Sequence, residues 1–254
     1  MSFKNYYKSC GLGLVLLFSA LCAAARDGVA VVVDAVSYDK ARAELNDYVK
    51  ALEQKQGYKV YVVVDRWQVP DSIRAELMAL HTQKHDAIVG AVLVGDIPVP
   101  MVRDAQYLTS AFKMDQTVNR RESSVPSDRF YDDFSLRFRP LGKDDTLPYY
   151  YYSLTAEGAQ KLSPDIFSGR IRPTDAGGTS RYDKLRAYLR KATAAKLNPE
   201  RFKSVFVFTG DGSISESMPA HIDEFRGLME HFPQLAATPE AFSYMNYDDA
   251  TPIR

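Results

Sequence analysis

Asp96 follows an apolar run, Ala87 to Val94, with only Gly95 between them. If that run is a parallel strand, Asp96 lies where side chains of open α/β sheets meet ligands. It is a candidate for a substrate pocket and equally for a cap on the next turn. The run Ser204-Val-Phe-Val-Phe208 creates a second such place. Its turn, Thr209-Gly210-Asp211-Gly212, presents Asp211, and Glu216 comes shortly after. Asp128, Asp132 and Asp133 could give hard oxygens to calcium, joined by Asp144, Asp145 or Asp165. Their spacing fits no EF-hand, and a solvated acidic loop is the competing reading. Arg170 is expected to pair with an aspartate of the preceding loop, and Gly169 to mark tight backbone packing at a strand.

Nucleophile chemistry is harder to place. His81 and His85 fall at the end of a helix, and His221 and His231 on a later one, where surface or partly buried histidines are common. Ser213, Ser215 and Ser217 stand near His221 and Asp223, but no Gly-x-Ser-x-Gly elbow encloses them. A serine just before a helix more often caps it. The sequence has 2 Cys, Cys10 and Cys22. Both lie in a segment with Lys4 and Lys8, an apolar run from Gly11 to Leu21, and small residues to Ala25. That order predicts a signal peptide over 1–25, cut after Ala23-Ala24-Ala25, because the run is shorter than the roughly 20 residues that span a bilayer. Leu21 is bulkier than the residue that lipoprotein cleavage at Cys22 prefers. An exported protein, periplasmic, secreted or on the cell surface, is therefore expected, with no membrane span after cleavage and no thiol in the mature chain.

The mature chain must then rely on a buried core. With 254 residues, 46% hydrophobic, it is long enough for one large domain or two small ones. Lys+Arg 32 balance Asp+Glu 32, and no clustered basic run points to nucleic acid.

The elements that must position these residues follow from periodicity. Val29-Ala-Val-Val-Val33 reads as a strand buried on both faces. Tyr38, Ala41, Leu45, Tyr48, Val49 and Leu52 give a helix ended by Gly57, and 58–64 a second strand. Pro70 opens a helix with Ile73, Leu77 and Leu80 inward, and 87–94 is the third strand. Strand and helix alternating over short connections predict right-handed βαβ units and a parallel sheet. The pattern breaks over 100–164, which reads as short strands and loops decorating one edge of that sheet. It resumes with 165–171, a helix over 180–196, a strand over 204–208, a helix over 219–231 and a strand over 242–246.

Three stretches in order, Ala91-Val-Leu-Val-Gly-Asp-Ile-Pro98, Ser127-Asp-Arg-Phe-Tyr-Asp132 and Pro164-Asp-Ile-Phe-Ser-Gly-Arg170, resemble the gingipain-like cysteine peptidases. Tyr247-Asp-Asp-Ala-Thr-Pro252 resembles the turn that family carries before its catalytic histidine. The resemblance implies a caspase-like three-layer sandwich, with a first α/β subdomain over 26–120 and the start of a second over 121–254. It implies cleavage of polypeptide substrates by a thiolate and a histidine, with no cofactor required; calcium rests on the acidic residues alone. The family's His-Gly turn and cysteine follow such a turn in chain order, so the dyad is expected beyond Arg254 and no catalytic residue is assigned here. In arginine-cutting members an aspartate early in the helix after the glycine-rich turn receives the basic side chain. Met218 occupies that place, leaving Asp211 or Glu216 as the nearby acids. The alternative is a non-catalytic exported binding or scaffold protein on the same fold.

Overall fold

The computed structural model describes residues 25–105, 115–198, 205–209, 230 and 242–246. The first strand, β1 (Gly28–Asp34), is buried along its whole length, as a strand covered on both faces must be. Helix α1 (Ala35–Gln56) follows at once because Asp34 caps it. Its Oδ1 accepts from the amides of Val36 and Ser37 at 3.1 and 3.0 Å, satisfying N–H groups that the first turn leaves without partners. Ala41, Leu45, Tyr48 and Leu52 form the buried stripe, and Gly57 closes the helix in the left-handed conformation. β2 (Lys59–Asp65), α2 (Pro70–Thr82) and β3 (Ile88–Val94) complete two βαβ units. Just ahead of β1, the Arg26 amide donates to Asp86 Oδ1 at 2.8 Å.

With β8 (Phe167–Ile171), these strands make a four-stranded sheet of order β2-β1-β3-β8. All its neighbours are parallel. The chain moves from β1 out to β2, then back across β1 to β3, so right-handed crossovers put α1 and α2 on opposite faces. Ala30 and Val32 pack with Ile73 and Leu77 of α2. The alternate residues Val29, Val31 and Val33, equally buried, therefore face α1. The fold is α/β, with a parallel sheet between helices, as the periodicity predicts.

The stretch between β3 and β8 departs from expectation. Instead of decorating an edge, it builds a second sheet from β4 (Val99–Arg103), β5 (Val125–Pro126), β6 (Phe138–Lys143) and β7 (Tyr149–Leu154), in the order β5-β4-β7-β6. β4 and β7 are parallel, and the outer pairs are antiparallel. A short helix, α3 (Arg129–Asp132), precedes β6. Phe130, Tyr131, Phe134 and Tyr152 share one core with Ala30, Val32, Ile73 and Leu77. Arg74 of α2 ties the layers together: it donates to the carbonyls of Phe130 and Leu136 and lies 5.4–5.6 Å from the ring centres of Phe130, Phe134 and Phe138.

Helix α4 (Arg181–Leu197) follows β8. Further on, β9 (Val205–Thr209) and β10 (Phe242–Asn246) pair in parallel, Val205 with Phe242. The chain divides into two compact units, Met1–Ala187 and Tyr188–Arg254. The expected signal peptide but for Ala25, and all of the helix expected over 219–231 but Glu230, lie outside the described residues. Among the described residues no helix is long and apolar enough to cross a membrane.

Candidate functional site

In a sheet ordered β2-β1-β3-β8 the connections leave in opposite directions from β1 and β3, and beside the carboxyl ends of strands at such a point open α/β sheets bind their ligands. Asp34 ends β1 there, and Gly95-Asp96 follow β3. Asp34 is buried, with its Oδ1 on the α1 cap and its Oδ2 accepting from the Asp96 amide at 2.7 Å. Gly95 makes the approach possible. Its φ is +82°, and a Cβ there would stand 2.0 Å from Asp34 Oδ2 and 2.2 Å from Ser37 Oγ. The Gly95 amide donates to the Ile171 carbonyl at 2.9 Å, closing the end of β8 onto the same turn.

Asp96 lies where the sequence placed it, but its carboxylate is not a free acid. Arg181, at the start of α4, reaches Asp96 Oδ1 at 2.6 Å, and Arg172 lies 3.5 Å away. The hydrogen bond to Asp96 holds the Arg181 guanidinium above its usual pKa. Beyond the carboxyl end of β3 two arginines thus share one aspartate. Asp34 was missed by sequence reasoning, although a polar residue closing an apolar strand just before Ser37 is a cap signal.

A second constellation gathers on Arg170. Its guanidinium donates to Asp128 at 2.7 and 3.1 Å and to the carbonyls of Ile97 and Pro98 at 2.8 and 3.3 Å. Pro98 also accepts from the Tyr131 hydroxyl at 2.9 Å, and burial pushes that phenol well above its ordinary pKa. The expected pairing of Arg170 with a loop aspartate is present. The close packing expected at Gly169 is not, since a Cβ there would meet nothing within 4 Å.

Of the aspartates read as calcium ligands, Asp128, Asp132, Asp133, Asp144 and Asp165 are engaged by protein donors, whereas Asp145 is exposed. Asp128 holds Arg170. Asp133 accepts from Ser135 at 2.6 Å and from the Ser163 amide at 2.7 Å. Asp132 Oδ2 accepts from the Ser168 hydroxyl at 2.5 Å and pairs with Arg129 at 2.7 Å, while its buried Oδ1 has no hydrogen-bond partner. Burial, opposed by Ser168 and Arg129, lifts the Asp132 carboxyl to a pKa of about 6. Asp144 takes Arg121, Tyr151 and the Thr146 and Leu147 amides, which holds it well below the usual carboxylate range. Asp165 accepts from the Phe134 amide. Among the described residues no group of three or more His, Cys, Asp or Glu could hold a metal ion.

His81 sits at the end of α2, its Nδ1 2.9 Å from the Ile88 carbonyl oxygen and its ring 5.4 Å from that of Phe134. Asp211, Glu216, the three serines, His221, His231 and Met218 lie outside the described residues. Comparison of the chain with protein families, with curated proteins and with solved structures finds no match.

Proposed function

We propose that this chain is the scaffold-bearing, amino-terminal part of an exported gingipain-like cysteine endopeptidase, whose thiolate–histidine pair is supplied by residues after Arg254. One observation carries the reading. The three stretches that resemble the family, up to 73 residues apart, meet at Arg170. Its guanidinium, from the third stretch, binds Asp128 of the second and the Ile97 and Pro98 carbonyls of the first. Residues that resemble a family in order and also interlock support a shared framework better than any one motif. In this reading Asp96 is a positioning residue: it anchors Arg172 beyond β8 and Arg181 at the start of α4. Polypeptides are the substrates, approaching the carboxyl ends of the parallel strands.

The non-catalytic alternative draws on the cysteines, since Cys10 and Cys22 both lie in the expected leader. A thiol-directed peptidyl chloromethyl ketone, applied to the product of the complete reading frame, separates the two. The peptidase reading expects labelling of a cysteine after Arg254, lost when the preceding histidine is replaced. A stop codon directly after Arg254, or a complete product that takes no label, would leave the binding-protein reading.

A further inference from the structure

β2 ends its sheet, with β1 on one side and no strand on the other among the described residues. The Lys59 amide donates to the Asp27 carbonyl, on the β1 side. Backbone direction alternates along a strand, so Lys59, Tyr61, Val63 and Asp65 address β1, while Val60, Val62 and Val64 turn their N–H and C=O groups outward. Val62 and Val64 are also 40% and 39% exposed. The strand, Lys-Val-Tyr-Val-Val-Val-Asp, has no proline, glycine or internal charge. Between Lys59 and Asp65 it carries none of the residues that usually keep an open edge from pairing.

We infer that this edge pairs antiparallel with β2 of a second copy, about a two-fold axis at Val62, which joins two four-stranded sheets into one. The charge pattern selects both occupant and register. A strand meeting its own copy about a two-fold axis normal to the sheet is antiparallel. With Val62 opposite Val62, Lys59 falls opposite Asp65 at each end, Val60 meets Val64, and Tyr61 meets Val63. Outward-facing residues then oppose outward-facing residues, which is what the hydrogen-bonded pairs of an antiparallel ladder require. A register one residue away sets outward groups against inward ones, and a register two away separates both Lys–Asp pairs. Asp65 is exposed and spends Oδ1 on the Arg66 amide at 2.7 Å. The inference is independent of the peptidase reading.

Sedimentation of the full chain over a concentration series is expected to show a monomer–dimer equilibrium. Lys59→Asp sets acid against acid at both ends and raises the dimer Kd by about tenfold or more. Asp65→Lys does the same, and the double variant returns the Kd to the wild-type range because the charges exchange places. Val62→Lys puts two cations on the axis and abolishes the dimer, with far-UV circular dichroism unchanged. A chain that stays monomeric at every concentration overturns the inference. So does a dimer indifferent to these substitutions, or a double variant no tighter than the singles.

Discussion

Arg170 and Asp132 show how differently two charged side chains can be held in one neighbourhood. Arg170 donates through Nε and both Nη atoms to one carboxylate and two carbonyls. Replacing it with alanine removes the donors to Asp128 and to the Ile97 carbonyl and leaves the Pro98 carbonyl only the Tyr131 hydroxyl. The expected loss is about 2–3 kcal/mol of unfolding free energy in urea, and Arg170→Lys should recover only part, since an ammonium lacks the planar fork. An unchanged urea midpoint for Arg170→Ala would remove this residue from its central place. Asp132 is the opposite case, a buried carboxyl whose folded pKa of about 6 lies above its unfolded value. Between about pH 4 and 6 the folded chain therefore binds more protons than the unfolded chain, and stability from this group falls as pH rises. The loss is about 3 kcal/mol once both states are ionised. The difference in stability between wild type and Asp132→Asn, followed from pH 4 to 7, should decline by that order, and a flat difference would contradict it. The Arg170 pairing was legible because its partners lie in recognisable motifs. The burial of Asp132 was not, because Asp132 and Asp133 read alike in sequence and only tertiary packing orients Asp132 toward Ser168.

The turn at Gly95 joins the ends of β1, β3 and β8 through Asp34, the Asp96 amide and the Ile171 carbonyl. Gly95→Ala adds a methyl group in the left-handed region and drives it into Asp34 and Ser37. Strain and a displaced α1 cap together should cost about 3 kcal/mol, read from the urea midpoint. Full retention of stability would mean that the turn relaxes without moving Asp34. The elements around this turn were legible because each is short, apolar and periodic. The second sheet was not. β6 reads Phe-Arg-Pro-Leu-Gly-Lys, with proline and glycine where a strand should alternate, and it is an edge strand with an irregularity between Pro140 and Gly142. β4 pairs in parallel with β7 across a long connection, and no local pattern encodes that choice of partner. Of the aromatic residues that fuse the two layers, Phe130, Phe134 and Phe138 gather around Arg74 of α2, and no local pattern in the sequence marks that arginine.

At the scale of the whole molecule, the alternation of strand and helix predicted a parallel α/β sheet, and the first compact unit has one. Among the described residues of this unit there is no cysteine, Cys10 and Cys22 both preceding β1. Its sheet opens with a small contact that takes on meaning if the expected export leader is removed. Cleavage after Ala25 would turn the Arg26 amide, which faces Asp86 Oδ1 at 2.8 Å, into an ammonium. A neutral hydrogen bond at the entrance to β1 would become a charge-assisted one, worth up to about 1 kcal/mol at so exposed a place. A chain beginning at Arg26 should then unfold at slightly higher urea than one retaining Ala25, and Asp86→Asn should erase the difference. Equal midpoints for the two chains would count against it. Removal of the leader would in that case do more than release the protein: the protease that trims it would also set the last lock on the fold, so that maturation and stabilisation are a single event.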